Sequence, residues 1–411
     1  MIESSKAVLS PYRWVVLAIV WAATLIGVAP QFQVAALAFK VIPDLNLSLT
    51  QFSMIFSAPM LGSVFFSVPS GALGDRFGVK KVVTVGFILS IVGVYFRYAA
   101  HDFLTFFTLM FLSGLSSALL NANISKLVGA WFPLEQMGTA MGINYTGAGL
   151  GMAIGLSTAT LFPTTKMAYT TAGYLMLIVA ILWVILVKDK PAGTPDMPVM
   201  PTTQYLREVI KSKNVWLVGT GLMIFMGCNM VFSGNFSNAL NAVRGVDPHK
   251  ASLMTSLVTL GSVLGSLVGP ILSDRIGRIR PFLAPVAILG AVSMYLTWNS
   301  SGITTWLILP VLGFMMGVTL PLLMSFPMLL PEIGPTYAGS AGGLIATLQL
   351  IGAFFVPSFI VAPLANNSFD VLFLLASILY FLSGVVFYFL PELGTKARLT
   401  TQKTGEEIER A

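Results

Sequence analysis

Ten uncharged polar side chains stand inside otherwise apolar runs: Gln31, Gln33, Asn121, Asn123, Asn144, Tyr145, Asn229, Asn235, Asn238 and Gln349. Amides offer donors and acceptors together, and tyrosine adds a hydroxyl and a ring. The chemistry available is therefore hydrogen-bonded recognition of a polar solute, not the making of bonds. An amide in hydrocarbon is costly unless paired, so several of these should face a wet cavity or bond across helices. Each amide alone reads equally well as interhelical glue worth about 0.6 kcal/mol. As a set they mark a polar route, with Gln33, Asn121, Asn144, Tyr145, Asn229, Asn235 and Gln349 as the candidate substrate-binding residues.

Other chemistries lack their residues. No Asp, Glu, Lys or Arg falls near the middle of any long apolar run, and Arg97, Lys126 and Glu332 lie towards run ends. A charge held at a bilayer centre costs at least about 2.5 to 3.5 kcal/mol and usually marks ion or proton handling. Its absence fits uncoupled transport. The two histidines, His101 and His249, lie near loops, and the one cysteine, Cys228, sits among apolar neighbours. No metal site, disulfide framework or cofactor is expected. Nor is an enzyme, because the runs hold no acid pair, no His-Glu-x-x-His and no serine with a basic partner.

The elements that must position these side chains follow from composition. With 56% hydrophobic and 9% charged residues, the chain is far from the roughly 25% charged content of soluble domains and must live in lipid. Runs of roughly 20 apolar residues, enough to cross the hydrocarbon as helix, fall near 14–39, 50–73, 82–100, 103–128, 137–160 and 168–187. Six more lie near 215–240, 250–273, 281–298, 303–326, 337–360 and 369–390. The expectation is an all-α membrane protein of twelve transmembrane helices in two six-helix bundles, 1–187 and 215–390. A linker at 188–214 containing Pro191, Pro195, Pro198 and Pro201 joins them, and a tail follows at 391–411. The first run is long enough to remain a span and has no cleavage site after it, so it is not a removed signal. Of the 23 basic residues only Lys40, Arg97, Lys166, Arg244 and Lys250 fall on the side opposite the tails, which places both termini in the cytoplasm. The net charge of +7 serves topology, so no nucleic-acid partner is expected. A monomer in the plasma membrane, a bacterial inner membrane for so compact a chain, is the expected state. Pro30, Pro59, Pro69, Pro310, Pro321 and Pro357 fall within helical runs and should kink them.

The two halves repeat. Gly74-Asp75-Arg76-Phe77-Gly78-Val79-Lys80 is echoed by Ser273-Asp274-Arg275-Ile276-Gly277-Arg278, and Gly138-Thr139-Ala140-Met141-Gly142 by Gly339-Ser340-Ala341-Gly342-Gly343. Parallel halves in an apolar chain are the signature of a carrier built by duplication. The segment Gly71 to Lys81, between the second and third spans, resembles the best-known signature of the major facilitator superfamily, with the Asp274 copy between the eighth and ninth. A narrower similarity, in Asn123-Ile124-Ser125-Lys126-Leu127-Val128-Gly129-Ala130-Trp131-Phe132-Pro133, is to cyanate- and nitrate-type carriers and to the haem and choline branch. Gln349 ahead of Gly352 resembles a substrate-site glutamine of the choline branch. Unlike nitrate carriers, the chain has no arginine in the middle of its second or eighth span.

The resemblance implies a rocker-switch carrier with its solute held between the halves, and amides of spans one, four, five, seven and eleven lining the cavity. It also implies a cytoplasmic latch in which Asp75 ties the second span to the eleventh, with Arg76, Lys80, Lys126, Asp274, Arg275, Arg278 and Glu332 as its other charges. Glycines at Gly147, Gly151 and Gly155 and at Gly261, Gly265 and Gly269 share helix faces. They are helix-packing strips, which the resemblance would set where the two halves meet. Amides and rings suit a small neutral, zwitterionic or cationic organic solute. A small anion, such as cyanate or a short carboxylate held with Lys126 or Arg97, is the second reading, and a sensor without flux the third.

Overall fold

The computed structural model describes residues 10–191 and 209–394, and every regular element among them is helical. The helices are α1 (Tyr12–Ala36), α2 (Ala38–Asp44), α3 (Leu49–Phe77), α4 (Val79–Tyr95), α5 (Phe103–Ser113), α6 (Leu115–Asn121), α7 (Ile124–Trp131), α8 (Leu134–Ala159) and α9 (Thr165–Leu186). After the linker come α10 (Lys213–Arg244), α11 (Pro248–Ile276), α12 (Arg280–Asn299), α13 (Ile303–Leu329), α14 (Gly334–Phe355), α15 (Ala362–Ala365) and α16 (Phe369–Tyr388). Eleven helical stretches among the described residues are long and apolar enough to cross a membrane. Helix α8 stands where the fifth span is expected and is 26 residues long, but is not one of those eleven. Ile185, Leu264, Leu307 and Phe359 are each more than half exposed, as lipid-facing side chains are.

Local chemistry sets the helix ends. Asp247 accepts the amides of His249 and Lys250, at 3.0 and 3.1 Å, ahead of Pro248 in the first turn of α11. Gly245 and Gly277 end α10 and α11 with φ of 62° and 73°, a backbone region cheap only for glycine. Two expected continuous spans are broken. The fourth divides into α5, α6 and α7 at Gly114 and at Ala122–Asn123. The eleventh passes from α14 into a π-helical segment, Val356–Val361, before α15. Pro357 has no amide hydrogen, so the backbone ladder slips there to the wider repeat.

The chain divides into two compact units: one of Met1–Gln33 with Gly62–Val199, the other of Val34–Leu61 with the residues from Met200 onward. Helix α1 therefore changes unit after Gln33 and α3 after Leu61, three and two residues past Pro30 and Pro59 respectively. The first unit is built on Val20, Phe87, Val128, Met176 and Trp183, and the second on Val218, Phe225, Phe232, Leu283, Phe326 and Tyr380.

Each unit closes one corner with a carboxylate that is not among the candidate residues above. In the first, Asp189, just past α9, accepts the Lys80 amide at 2.6 Å and so caps α4. In the second, Glu392, just past α16, accepts the amides of Ile279, Arg280 and Gly394 at 2.8, 3.1 and 2.8 Å. Each answers the positive end of a helix and its unpaired N–H groups. Asp189→Ala and Glu392→Ala should each remove about 1 kcal/mol, read as a fall of a few degrees in the thermal unfolding midpoint, with Asp189→Asn, which keeps an acceptor oxygen, losing much less.

Candidate functional site

Several candidate amides are committed within their own unit. Asn144 on α8 is 2% exposed and accepts the Thr24 hydroxyl of α1 at 2.9 Å. One turn along, the Trp21 ring nitrogen donates to Thr146 at 3.1 Å, so the α1–α8 seam absorbs this part of the expected polar route. Asn123, fully buried, donates through one nitrogen to the Ser70 carbonyl and hydroxyl and to the Leu119 carbonyl, at 3.1, 2.8 and 3.0 Å. It fastens the start of α7 to α3. In the second unit, Asn235 is 1% exposed and donates to the Val231 carbonyl of its own helix at 3.0 Å. Asn229 is half-buried, accepts Ser233 at 3.4 Å and approaches the Met316 sulfur at 3.6 Å.

The remaining candidates are open. Asn121 is exposed, Tyr145 is 67% exposed and Gln349 is half-buried. Asn238 joins Asn241, Asn367, Phe39, Ile42 and Leu49 around a cleft of about 300 Å³ within the second unit. There the Leu49 amide, at the start of α3, donates to the Asn367 side chain at 3.1 Å.

Gln33 sits in a different setting. It is 5% exposed and its amide nitrogen donates to the Ala168 carbonyl of α9 at 3.1 Å, while its Oε1 is buried with no hydrogen-bond partner. Arg97, in the 3₁₀ turn Phe96–Ala99 that follows α4, also reaches α1 and α9. Sequence position puts this arginine at a span end, but the fold encloses it: it is 1% exposed. Its Nη1 donates to the Pro30 carbonyl of α1 at 2.6 Å and its guanidinium carbon lies 5.9 Å from the centroid of the Tyr169 ring of α9. Nε and Nη2 are buried with no hydrogen-bond partner, and among the described residues no carboxylate forms a hydrogen bond or ion pair with it.

The energetics make this arginine the most demanding group in the first unit. An enclosed, unpaired ion costs several kcal/mol even after relaxation. One charge-assisted hydrogen bond returns about 1.5 to 3 kcal/mol and a ring face about 0.5 to 2. The balance is unfavourable without a counter-charge. The sequence carried a signal for this, since Arg97 is followed by no acid until Asp102, and Asp102 is used to cap α5 through the Thr105 amide and hydroxyl at 2.9 and 2.7 Å.

The described partners of the expected latch residues are as follows. Lys126 donates to the Gly71 carbonyl of α3 at 2.9 Å, one turn before Asp75, and the Arg76 guanidinium stacks on Phe77 at 5.1 Å. Lys80 donates its backbone amide to Asp189 and its carbonyl accepts the Trp183 ring nitrogen. Glu332 accepts Ser212 at 3.0 Å and Asn214 at 2.8 Å, tying the end of α13 to the start of α10. Partial burial pushes its carboxyl up, but hydrogen bonds from its own backbone, Asn214 and Ser212 outweigh that and hold it below the usual carboxylate range. Arg275 and Arg278 are exposed. The side chains of Asp75 and Asp274 lie outside the described residues.

Both glycine ladders pack inside a unit, which corrects the expectation that they meet across the halves. A Cβ on Gly147, Gly151 or Gly155 would strike the α1 carbonyls of Trp21, Leu25 and Ala29. On Gly261 and Gly265 it would strike the α13 carbonyls of Pro310 and Phe314, and on Gly269 the Val318 side chain. Helix α13 returns the contact: Gly313 and Gly317 face the carbonyls of Val258 and Ser262 on α11. The Gly313-x-x-x-Gly317 spacing was visible in sequence and unused, because its run is so uniformly apolar that no face stands out.

The sequence profile described as Major Facilitator Superfamily matches residues 15–357 and, in a second match, 234–409. A hexuronate transporter of Bacillus subtilis is 28% identical over 250 residues, 57% of this chain and 58% of that protein. A probable nitrate/nitrite antiporter of Thermus thermophilus is 25% identical over 404 residues, 88% of this chain and 89% of its own length. Among solved structures, a bacterial homologue of the human lysosomal transporter Spinster, inward-facing and unoccupied, superposes with a TM-score of 0.71 at 14% identity, covering 92% of this chain and 98% of that one; it speaks to fold alone.

Proposed function

We propose, on the premise that the chain belongs to the Major Facilitator Superfamily and is a multi-pass membrane transporter, that it carries a small anion across a bacterial inner membrane by alternating access. The observation that carries this reading is Arg97: a guanidinium 1% exposed, with two nitrogens unpartnered and no carboxylate bonded to it among the described residues. A carrier that must desolvate an anion gains from a cation already stripped of water, because the Coulomb term between them is large in a low-dielectric interior. The similar proteins named as transporters of hexuronate and of nitrate or nitrite support an anionic cargo. The neutral, zwitterionic or cationic solute that the amides suggested finds no support in them.

In this reading the twelve spans form bundles at 1–187 and 215–390 with both termini cytoplasmic. Asp75, with Arg76, Lys80 and Lys126, and the Asp274, Arg275, Arg278 and Glu332 group act as latches of the inward-closed state. The test is uptake by the purified full-length chain in proteoliposomes, comparing nitrate, sulfoacetate and glucuronate with choline and glucose. Saturable uptake confined to one or more of the anions is expected; uptake of choline or glucose with none of the anions would overturn the proposal.

A further inference from the structure

The atoms left without partners around Arg97 form a pattern more specific than a positive charge. Its Nη1 is taken by the Pro30 carbonyl, while Nε and Nη2 are not. These two nitrogens make up the side edge of the guanidinium, whose parallel N–H bonds match the two oxygens of a carboxylate. One turn further along α1, Gln33 holds its nitrogen on Ala168 and leaves Oε1 as an unpartnered acceptor. Side chains three apart on a helix are neighbours, with Cβ atoms about 5 to 6 Å apart. On the opposite wall, Ala168 and Tyr169 are adjacent on α9, so both side chains are tethered to the same two helices. Where α1 and α9 meet within the first unit, the two side chains thus hold an unpartnered donor edge and an unpartnered acceptor.

We propose that Arg97 and Gln33 together bind a hydroxycarboxylate, the carboxylate bridging Nε and Nη2 of Arg97 and a hydroxyl of the same molecule donating to Gln33 Oε1. The inference rests on the anionic reading above and narrows it to a chemical class. A plain carboxylate would leave Oε1 buried and unsatisfied, and a polyol would leave the arginine edge unpaired. Each omission has the cost of a stranded buried polar group, and a ligand with both functions satisfies the corner.

In the described conformation the corner is closed, with Arg97 1% and Gln33 5% exposed. Helix α1 has the means to open it. Pro30 removes a backbone hydrogen bond at this level, the chain leaves the first unit directly after Gln33, and α1 ends at Ala36 before α2 begins. A shift of α1 away from α4 and α9 would separate the two walls at the Pro30 and Ala168 carbonyls.

The experiment is calorimetric titration of the purified full-length protein in detergent at constant pH with two matched pairs, lactate against propionate and glucuronate against cyclohexanecarboxylate. At least one hydroxy acid should bind about tenfold tighter than its hydroxyl-free partner. Gln33→Met should bring that ratio close to one, and because the ratio is internal to each sample it is insensitive to how much protein is folded. Arg97→Lys, which keeps the charge and loses the side edge, should weaken every carboxylate about tenfold while preserving the ratio. A ratio unchanged by Gln33→Met, or carboxylate affinities unchanged by Arg97→Lys, would overturn the site while leaving an anion carrier in place. So would binding of nitrate with no binding of any carboxylate. If no anion binds and choline or glucose does, the anionic reading itself falls.

Discussion

Arg97→Met should lower carboxylate uptake by at least about 30-fold in kcat/KM, while the unfolding midpoint stays where it is or rises. The two expectations have a common origin. Truncating one member of a desolvated, hydrogen-bonded charge pair typically costs about 2 to 5 kcal/mol of interaction, and the lower end of that range is already about 30-fold. Stability follows the opposite logic. In the empty protein the guanidinium has one hydrogen bond and one ring face to set against its desolvation, and exchanging enclosed ions for apolar side chains of similar volume is often neutral or stabilising, by about 1 to 4 kcal/mol where measured. A purely architectural arginine, present to hold Pro30 in place, would behave differently: its loss would lower the midpoint, with transport falling only as folded protein is lost. Measuring uptake and thermal unfolding on the same preparations separates the two, and a lowered midpoint with normal uptake per folded molecule would remove Arg97 from the binding machinery.

The second large effect concerns the seam between α11 and α13. Gly317→Leu should destabilise the protein by about 3 kcal/mol or more, at the upper end of what overpacking usually costs, because a Cβ there meets the Ser262 carbonyl of α11 and backbone cannot rotate away as a side chain can. Gly313 stands in the same relation to Val258, and Gly261 and Gly265 face the carbonyls of Pro310 and Phe314 from the other side. Four glycines thus let two backbones come close enough for Cα–H···O contacts, and one larger residue must separate the helices along their length. With a midpoint shift of about 2 to 4 °C per kcal/mol for a body of this size, the fall should exceed about 6 °C. Gly142→Leu is the matched control: it is also a helical glycine, on α8, but a Cβ there meets nothing within 4 Å, so the midpoint should hardly move. Equal falls in the two variants would mean that close approach does not govern this seam.

The helices themselves were legible because span length and apolar content are local properties of the chain. The breaks within them were less so. Pro357 announced a disturbance in the eleventh span but not its form, a π-helical segment at Val356–Val361, because the same missing amide can be accommodated by a kink or by a wider turn. The division of the fourth span at Ala122–Asn123 has no signature in the sequence, since the Asn123 side chain there holds α3 to α7. Asn144 likewise bonds to a partner, Thr24, that lies 120 residues away.

By itself the sequence determined an all-helical membrane protein, its superfamily, and the lack of any acid or base in the middle of an apolar run. These follow from composition, from periods of a few residues and from a motif repeated at fixed spacing, none of which needs a long-range contact. Only the tertiary structure decided which polar groups are spent and which remain available. Arg97 stands at the end of its span in sequence, where a charge normally reaches water, yet α1 and α9 close over it through a carbonyl 67 residues away and a tyrosine ring. Burial is a property of the helices that surround a residue, and no local pattern around Arg97 records which helices those are.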